Sequence, residues 1–171
     1  LLDAGHPVIL NYVVTAENVT QLAALVGAIP RLFPSRRRKL SLNLSTLGEF
    51  PGMGRHARLF PRLTGVLAQS RKAAAKARRI GLRYFDFLRS GACNLPPCLL
   101  TSAERRRIRA VSVISASDDG GPAIAYGLDC LAIEPVVKAA GCRRCSFDGA
   151  CVGVPREYAL KFGLDELRPI R

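Results

Sequence analysis

Val8-Ile9-Leu10-Asn11-Tyr12-Val13-Val14-Thr15 decides the fold class. The run is rich in β-branched residues and mostly apolar, and it predicts a strand buried on both faces. It stops at Ala16-Glu17-Asn18, where the Asn18 side chain is placed to N-cap a helix by accepting from free backbone N–H groups. Val19, Leu22, Leu25, Val26 and Ile29 then recur at helical spacing until Pro30 and Pro34 break the pattern. After a basic turn at Arg36-Arg37-Arg38-Lys39, Leu40-Ser41-Leu42-Asn43-Leu44-Ser45 reads as a second strand. Gly48 to Gly54 is a glycine- and proline-rich loop, and a long helix is expected from about His56 to Ile80, with Leu59, Leu63, Val66 and Leu67 on one face. Gly81 is a fitting helix stop, and Leu82 to Leu88 is the third expected strand. Strands joined by connections of this length pair in parallel through right-handed crossovers. Three strands cannot close a barrel, so residues 1–90 read as the C-terminal half of a larger α/β barrel.

The character of the chain changes after Ser90, and residues 91–171 read as a separate cysteine-rich extension. Cys93-Asn94-Leu95-Pro96-Pro97-Cys98 is too rich in proline for a helix and predicts an irregular loop. Ala110 to Ser115 is a short expected strand, and Asp118-Asp119-Gly120-Gly121-Pro122 a turn cluster. No internal repeat or low-complexity tract interrupts either half.

The 171 residues are 49% apolar and 23% charged, a globular composition. No apolar run reaches the roughly 18 residues a membrane-spanning helix needs. The chain opens on Leu1-Leu2-Asp3 without a secretory leader pattern, and reads as a piece of a longer cytoplasmic protein. Lys and Arg number 26 against 13 Asp and Glu, a formal charge of +13. Fourteen of the basic residues lie between Arg55 and Arg109, where only Asp86 and Glu104 oppose them. Such a block attracts anionic partners without specifying one, and the scarcity of interleaved aromatic residues argues against nucleic acid.

Six cysteines, Cys93, Cys98, Cys130, Cys142, Cys145 and Cys151, are many for a chain without a secretory signal, and their clustering favours metal over disulfides. Cys142 and Cys145, two residues apart, place both sulfurs on one centre, and Cys151 returns after a five-residue loop. A fourth ligand must come from Cys98, Cys93 or Cys130, the last of which sits among apolar Leu128, Leu131 and Ile133 as a buried free thiol would. Sulfur ligation suits zinc or iron–sulfur, and spacing alone does not separate them.

The C-x2-C-x5-C pattern at Cys142, Cys145 and Cys151, downstream of parallel strand–helix units, resembles the auxiliary-cluster domain, SPASM or Twitch, of radical S-adenosylmethionine (radical SAM) enzymes. The segment from His6 to Asn18 looks like the fourth strand of their partial (β/α)6 TIM-like barrel. The Leu95-Pro96-Pro97-Cys98-Leu99-Leu100 loop and the closing Tyr158, Phe162-Gly163 and Glu166-Leu167 fit the same group. The defining C-x3-C-x2-C motif is absent, and Pro155 stands where a full SPASM domain carries a further cysteine. The resemblance therefore implies one auxiliary 4Fe–4S cluster on Cys142, Cys145 and Cys151, with Cys98 as fourth ligand and Cys93 in reserve.

The resemblance further implies an oxidoreductase fragment that is not competent alone. Its partners would be the missing N-terminal barrel half, a peptide or small-molecule substrate, and a reductant such as a flavodoxin or ferredoxin. Asn11 and Asn43, amides within apolar strands, read either as contacts to S-adenosylmethionine near the strands' C-terminal ends or as amides satisfied by neighbouring backbone. His6 and His56 carry no assigned role, and Asp86 reads either as a ligand contact or, in preference, as an ion-pair partner of Arg83 or Arg89. The competing reading is a basic zinc-binding module for nucleic acid, which does not require the strand–helix alternation. The absence of Ser–His–Asp elements, paired acid–base groups and phosphate-binding glycine loops argues against a hydrolase or kinase.

Overall fold

The computed structural model describes residues 6–34, 39–46, 53–85, 95–106, 136–149, 151 and 153–171. The chain divides into two compact units, Leu1–Leu47 with Arg58–Cys93, and Gly48–Ala57 with Asn94–Arg171.

In the first unit, β1 (Val8–Val14), β2 (Leu40–Thr46) and β3 (Arg83–Phe85) form a parallel sheet in the order β1-β2-β3. Asn11 lies opposite Asn43, and Asn43 opposite Phe85. The helices α1 (Leu22–Leu32) and α2 (Leu63–Arg79) pack on each other, and α2 also meets β3. Leu40, Leu42 and Leu44 are fully buried beneath them, with Leu22, Val26 and Ile29 of α1 and Val66, Ala73 and Ala77 of α2. Each large aliphatic side chain in this layer contributes about 1.5–3 kcal/mol by leaving water. The alanines of α2 add little area and keep the packed face shallow.

The opposite face differs from the expectation of a strand buried on both sides. Along β1, Ile9, Asn11 and Val13 are exposed, alternating with partly or fully buried Leu10, Tyr12 and Val14. The period-two pattern arises because the two helices cover one face of this small sheet.

Three local features differ from what their residues predict. Asn18 does not cap the helix. Its Oδ1 accepts from the Thr15 N–H (2.8 Å) and its Nδ2 donates to the Val13 carbonyl (2.9 Å), so the side chain fastens the end of β1 instead. A 3₁₀ turn at Val19–Gln21 then leads into α1. Pro30 does not break α1, which runs on to Leu32. A proline in the last turn removes one N–H donor, and the Phe33 N–H still closes on the Ile29 carbonyl (2.9 Å). The expected helix from His56 is a 3₁₀ helix at Met53–Leu59, separated from α2 by Phe60-Pro61-Arg62. Proline disfavours a helical residue before it, which accounts for the break.

Gly81 ends α2 as expected. Its φ of +66° is left-handed, its N–H donates to the Arg78 carbonyl (3.2 Å), and the Leu82 N–H donates to the Ala77 carbonyl (3.0 Å). These two bonds make a Schellman closure that turns the chain into β3. No atom lies within 4 Å of a side chain built at this position, so only the backbone opposes substitution. Gly81→Ala is expected to cost about 1–2 kcal/mol of unfolding free energy, read by chemical denaturation. An unchanged midpoint would show that the left-handed turn does not hold α2 to β3.

In the second unit, β4 (Val136–Val137) pairs antiparallel with β5 (Val154–Pro155), aligning Val137 with Val154. The helix α3 (Ser102–Arg105) carries a capping box, with the Thr101 Oγ1 accepting from the Glu104 N–H and the Glu104 carboxylate accepting from the Thr101 N–H. The helix α4 (Arg156–Phe162) buries Tyr158, whose hydroxyl donates to Glu166 Oε2 (2.8 Å). The expected irregular loop before Cys98 ends in a 3₁₀ turn at Pro97–Leu99. The expected strand at 110–115, the turn cluster at 118–122 and Asp86 lie outside the described residues. Among the described residues, no helix is long and apolar enough to cross a membrane.

Candidate metal centre

The loop from Ala139 to Cys151 advances in steps of three residues. The Cys142 N–H donates to the Ala139 carbonyl (2.9 Å), the Cys145 N–H to the Cys142 carbonyl (2.9 Å), and the Asp148 N–H to the Cys145 carbonyl (3.0 Å). Ala140–Arg144 is accordingly a 3₁₀ helix. With three residues per turn, side chains at i and i+3 eclipse. That geometry puts Cys142 and Cys145 on one side, while Arg143 and Arg144 between them are exposed. A wider turn follows, in which the Cys151 N–H donates to the Phe147 carbonyl (2.8 Å) and returns the chain to the same place.

Cys98, Cys142, Cys145 and Cys151 line one pocket. All four are free thiols of intermediate exposure. Pro96, Pro97, Phe147, Leu167 and Pro169 supply apolar walls, and Lys138 and Asp148 add one charge of each sign. The Ile170 N–H donates to Cys145 Sγ (3.4 Å). Burial pushes the Cys98 thiol up from its ordinary value, opposed by a backbone hydrogen bond from Arg168 and reinforced by Cys151 and Cys142. Burial likewise raises Cys151, opposed by a backbone hydrogen bond from Gly153 and by the Lys138 ammonium. Peptide N–H groups therefore serve three of the four sulfurs.

Gly153 makes the Cys151 position achievable. Its φ is +94°, and a side chain there would collide with the Val137 carbonyl oxygen and crowd Lys138 Cγ. The strand pair β4–β5 thus approaches closely beside the third cysteine. Gly141 is similarly close to Pro169, at 3.1 Å from a built side chain.

Of the residues singled out from sequence, four cysteines come together here, while Cys93 and Cys130 lie outside the described residues. Asn11 and Asn43 also meet, on the open face of the first unit. Asn11 Oδ1 accepts from Asn43 Nδ2 (2.9 Å) and from Ser45 Oγ (2.8 Å), so these contacts are side chain to side chain and not to backbone. His6 and His56 are exposed. Sequence reasoning missed Lys138, Asp148, Gly153 and the Arg168–Ile170 segment. A glycine two residues after the last clustered cysteine was the available signal for one of them; the others depend on tertiary pairing.

Among the described residues, no three His, Cys, Asp or Glu side chains close around one metal ion. Free thiols, apolar walls and backbone N–H donors surround the four sulfurs, as thiolate ligation of zinc or of an iron–sulfur cluster needs. No protein-family model, curated protein or solved structure matches the chain.

Gly153→Ala is expected to displace Cys151 and lower metal retention severalfold relative to the unsubstituted protein, measured by competition with a chelator. Equal retention would mean that the β4–β5 approach does not set the cysteine geometry.

Proposed function

We propose that Cys98, Cys142, Cys145 and Cys151 hold one auxiliary 4Fe–4S cluster in the C-terminal portion of a radical SAM oxidoreductase or maturase. The observation that carries this reading is the convergence of four free cysteines, from two separated stretches of sequence, on one partly apolar pocket. When bound, such a cluster supplies one-electron transfer or a ligation point for substrate. The chain's own residues do the rest. The cysteines fix the group, the N–H groups of Ile170, Arg168 and Gly153 stabilise negative charge on sulfur, and the prolines, Phe147 and Leu167 limit water.

The first unit supports the same reading in a different way. Its parallel sheet exposes Ile9 (65%) and Val13 (41%) beside the Asn11–Asn43–Ser45 cluster. In the proposed enzyme this face belongs to a partial (β/α)6 barrel completed by an N-terminal half, and Asn11 and Asn43 present amide groups to S-adenosylmethionine. The C-x3-C-x2-C site that cleaves the cosubstrate would lie in that other half. A peptide or small-molecule substrate, a flavodoxin- or ferredoxin-like reductant and a cytoplasmic setting complete the proposal.

Protein purified and reconstituted without oxygen is expected to hold about four irons and a matching amount of acid-labile sulfide, with broad visible absorption. Cys98→Ala and Cys142→Ala should each lower that content sharply. Stoichiometric zinc without colour or sulfide would contradict the proposal and favour a basic zinc module, whose binding to nucleic acid would weaken steeply with salt.

A further inference from the structure

Lys138 directly follows β4, and its side chain reaches the rim of the cysteine pocket. Its ammonium donates to Asp148 twice, to the carboxylate Oδ1 at 2.8 Å and to the main-chain carbonyl at 2.6 Å. Asp148 lies in the five-residue loop between Cys145 and Cys151. The Lys138 side chain therefore ties the strand pair to the loop that brings the third cysteine back.

Among the described residues, the pair is also the charged part of the wall around the four cysteines. Lys138 and Asp148 both line the pocket, with side chains 33% and 40% exposed. The Asp148 hydrogen bond is the main cause that raises the Lys138 ammonium above its ordinary pKa, with smaller contributions from the charges of Asp148, Cys151 and Cys142. Arg143 and Arg144 are exposed and lie outside the pocket lining.

We infer that Lys138 and Asp148 are an opposed pair of positioning charges that set the reduction potential of the centre held by Cys98, Cys142, Cys145 and Cys151. The inference rests on the cluster proposed above. Four thiolates give such a cluster net negative charge, and one-electron reduction adds another negative charge. A fixed cation at the rim stabilises the reduced form, and a fixed anion stabilises the oxidised form. Asp148 thus performs two opposing tasks. It holds the ammonium against the site and partly cancels its field.

The test is an anaerobic redox titration of the reconstituted full chain with dithionite as electron donor, followed by electron paramagnetic resonance of the reduced cluster. Lys138→Met is expected to shift the midpoint potential to more negative values. Asp148→Asn keeps an oxygen that can accept from Lys138 and removes the negative charge, and is expected to shift the potential to more positive values. Lys138→Arg keeps the charge and should lie closest to the unsubstituted protein. A purely structural role would lower cluster occupancy in the variants without moving the potentials in opposite directions. Coincident potentials, or shifts of the same sign for Lys138→Met and Asp148→Asn, would overturn the inference and leave the cluster reading standing. Unsubstituted protein that takes up no iron and sulfide would overturn both.

Discussion

The cysteine site depends on a main-chain exchange at the end of the chain. The Ser146 N–H donates to the Ile170 carbonyl (2.8 Å), and the Ile170 N–H donates to Cys145 Sγ (3.4 Å). One residue of the C-terminal segment therefore satisfies a backbone donor next to a cysteine and supplies a donor to that cysteine's sulfur. Two residues earlier, the Arg168 backbone also supplies a hydrogen bond to Cys98. Without this segment the pocket would lose its Leu167 and Pro169 wall and two of its three N–H donors. The half-buried thiols would then face water, which competes well for the same sulfurs.

The two units are stabilised by different means. The first has a continuous apolar layer between sheet and helices, built from fully buried Leu22, Val26, Ile29, Leu40, Leu42, Leu44 and Val66. The second buries fewer large side chains among its described residues, chiefly Leu95, Leu100, Val154, Tyr158 and Leu167. Small cores of this kind commonly rely on a metal or cross-link for their stability. Metal binding to thiolates brought together by folding is itself folding free energy. Burial raises the Cys98 and Cys151 thiols and so favours their protonated form. Ligation reverses that preference by binding the thiolate.

Much of this was legible in the sequence wherever a local rule governs the outcome. The strands at Val8–Val14 and Leu40–Thr46 follow from β-branched and apolar runs, and Gly81 follows from the need for a left-handed helix stop. The C-x2-C pair follows from three-residue turns. Misreadings arose where one residue could serve two partners. Asn18 has a capping side chain, yet the free backbone at Val13 and Thr15 lies closer to it. Pro30 disrupts a helix interior but is tolerated in a last turn. Lys138, Asp148 and Ile170 carry no motif at all. Their roles arise because β4 meets β5 and because the C-terminal segment returns to Ser146, contacts between residues 10 to 25 positions apart.

Joint ligation by Cys98, Cys142, Cys145 and Cys151 is tested most directly by alkylation of the reconstituted chain with N-ethylmaleimide, followed by peptide mass spectrometry before and after iron removal by chelator. These four thiols are expected to be protected together in the loaded protein and to become reactive together when iron is removed. A loaded protein in which Cys98 reacts as fast as in the metal-free chain, while Cys142, Cys145 and Cys151 stay protected, would contradict it.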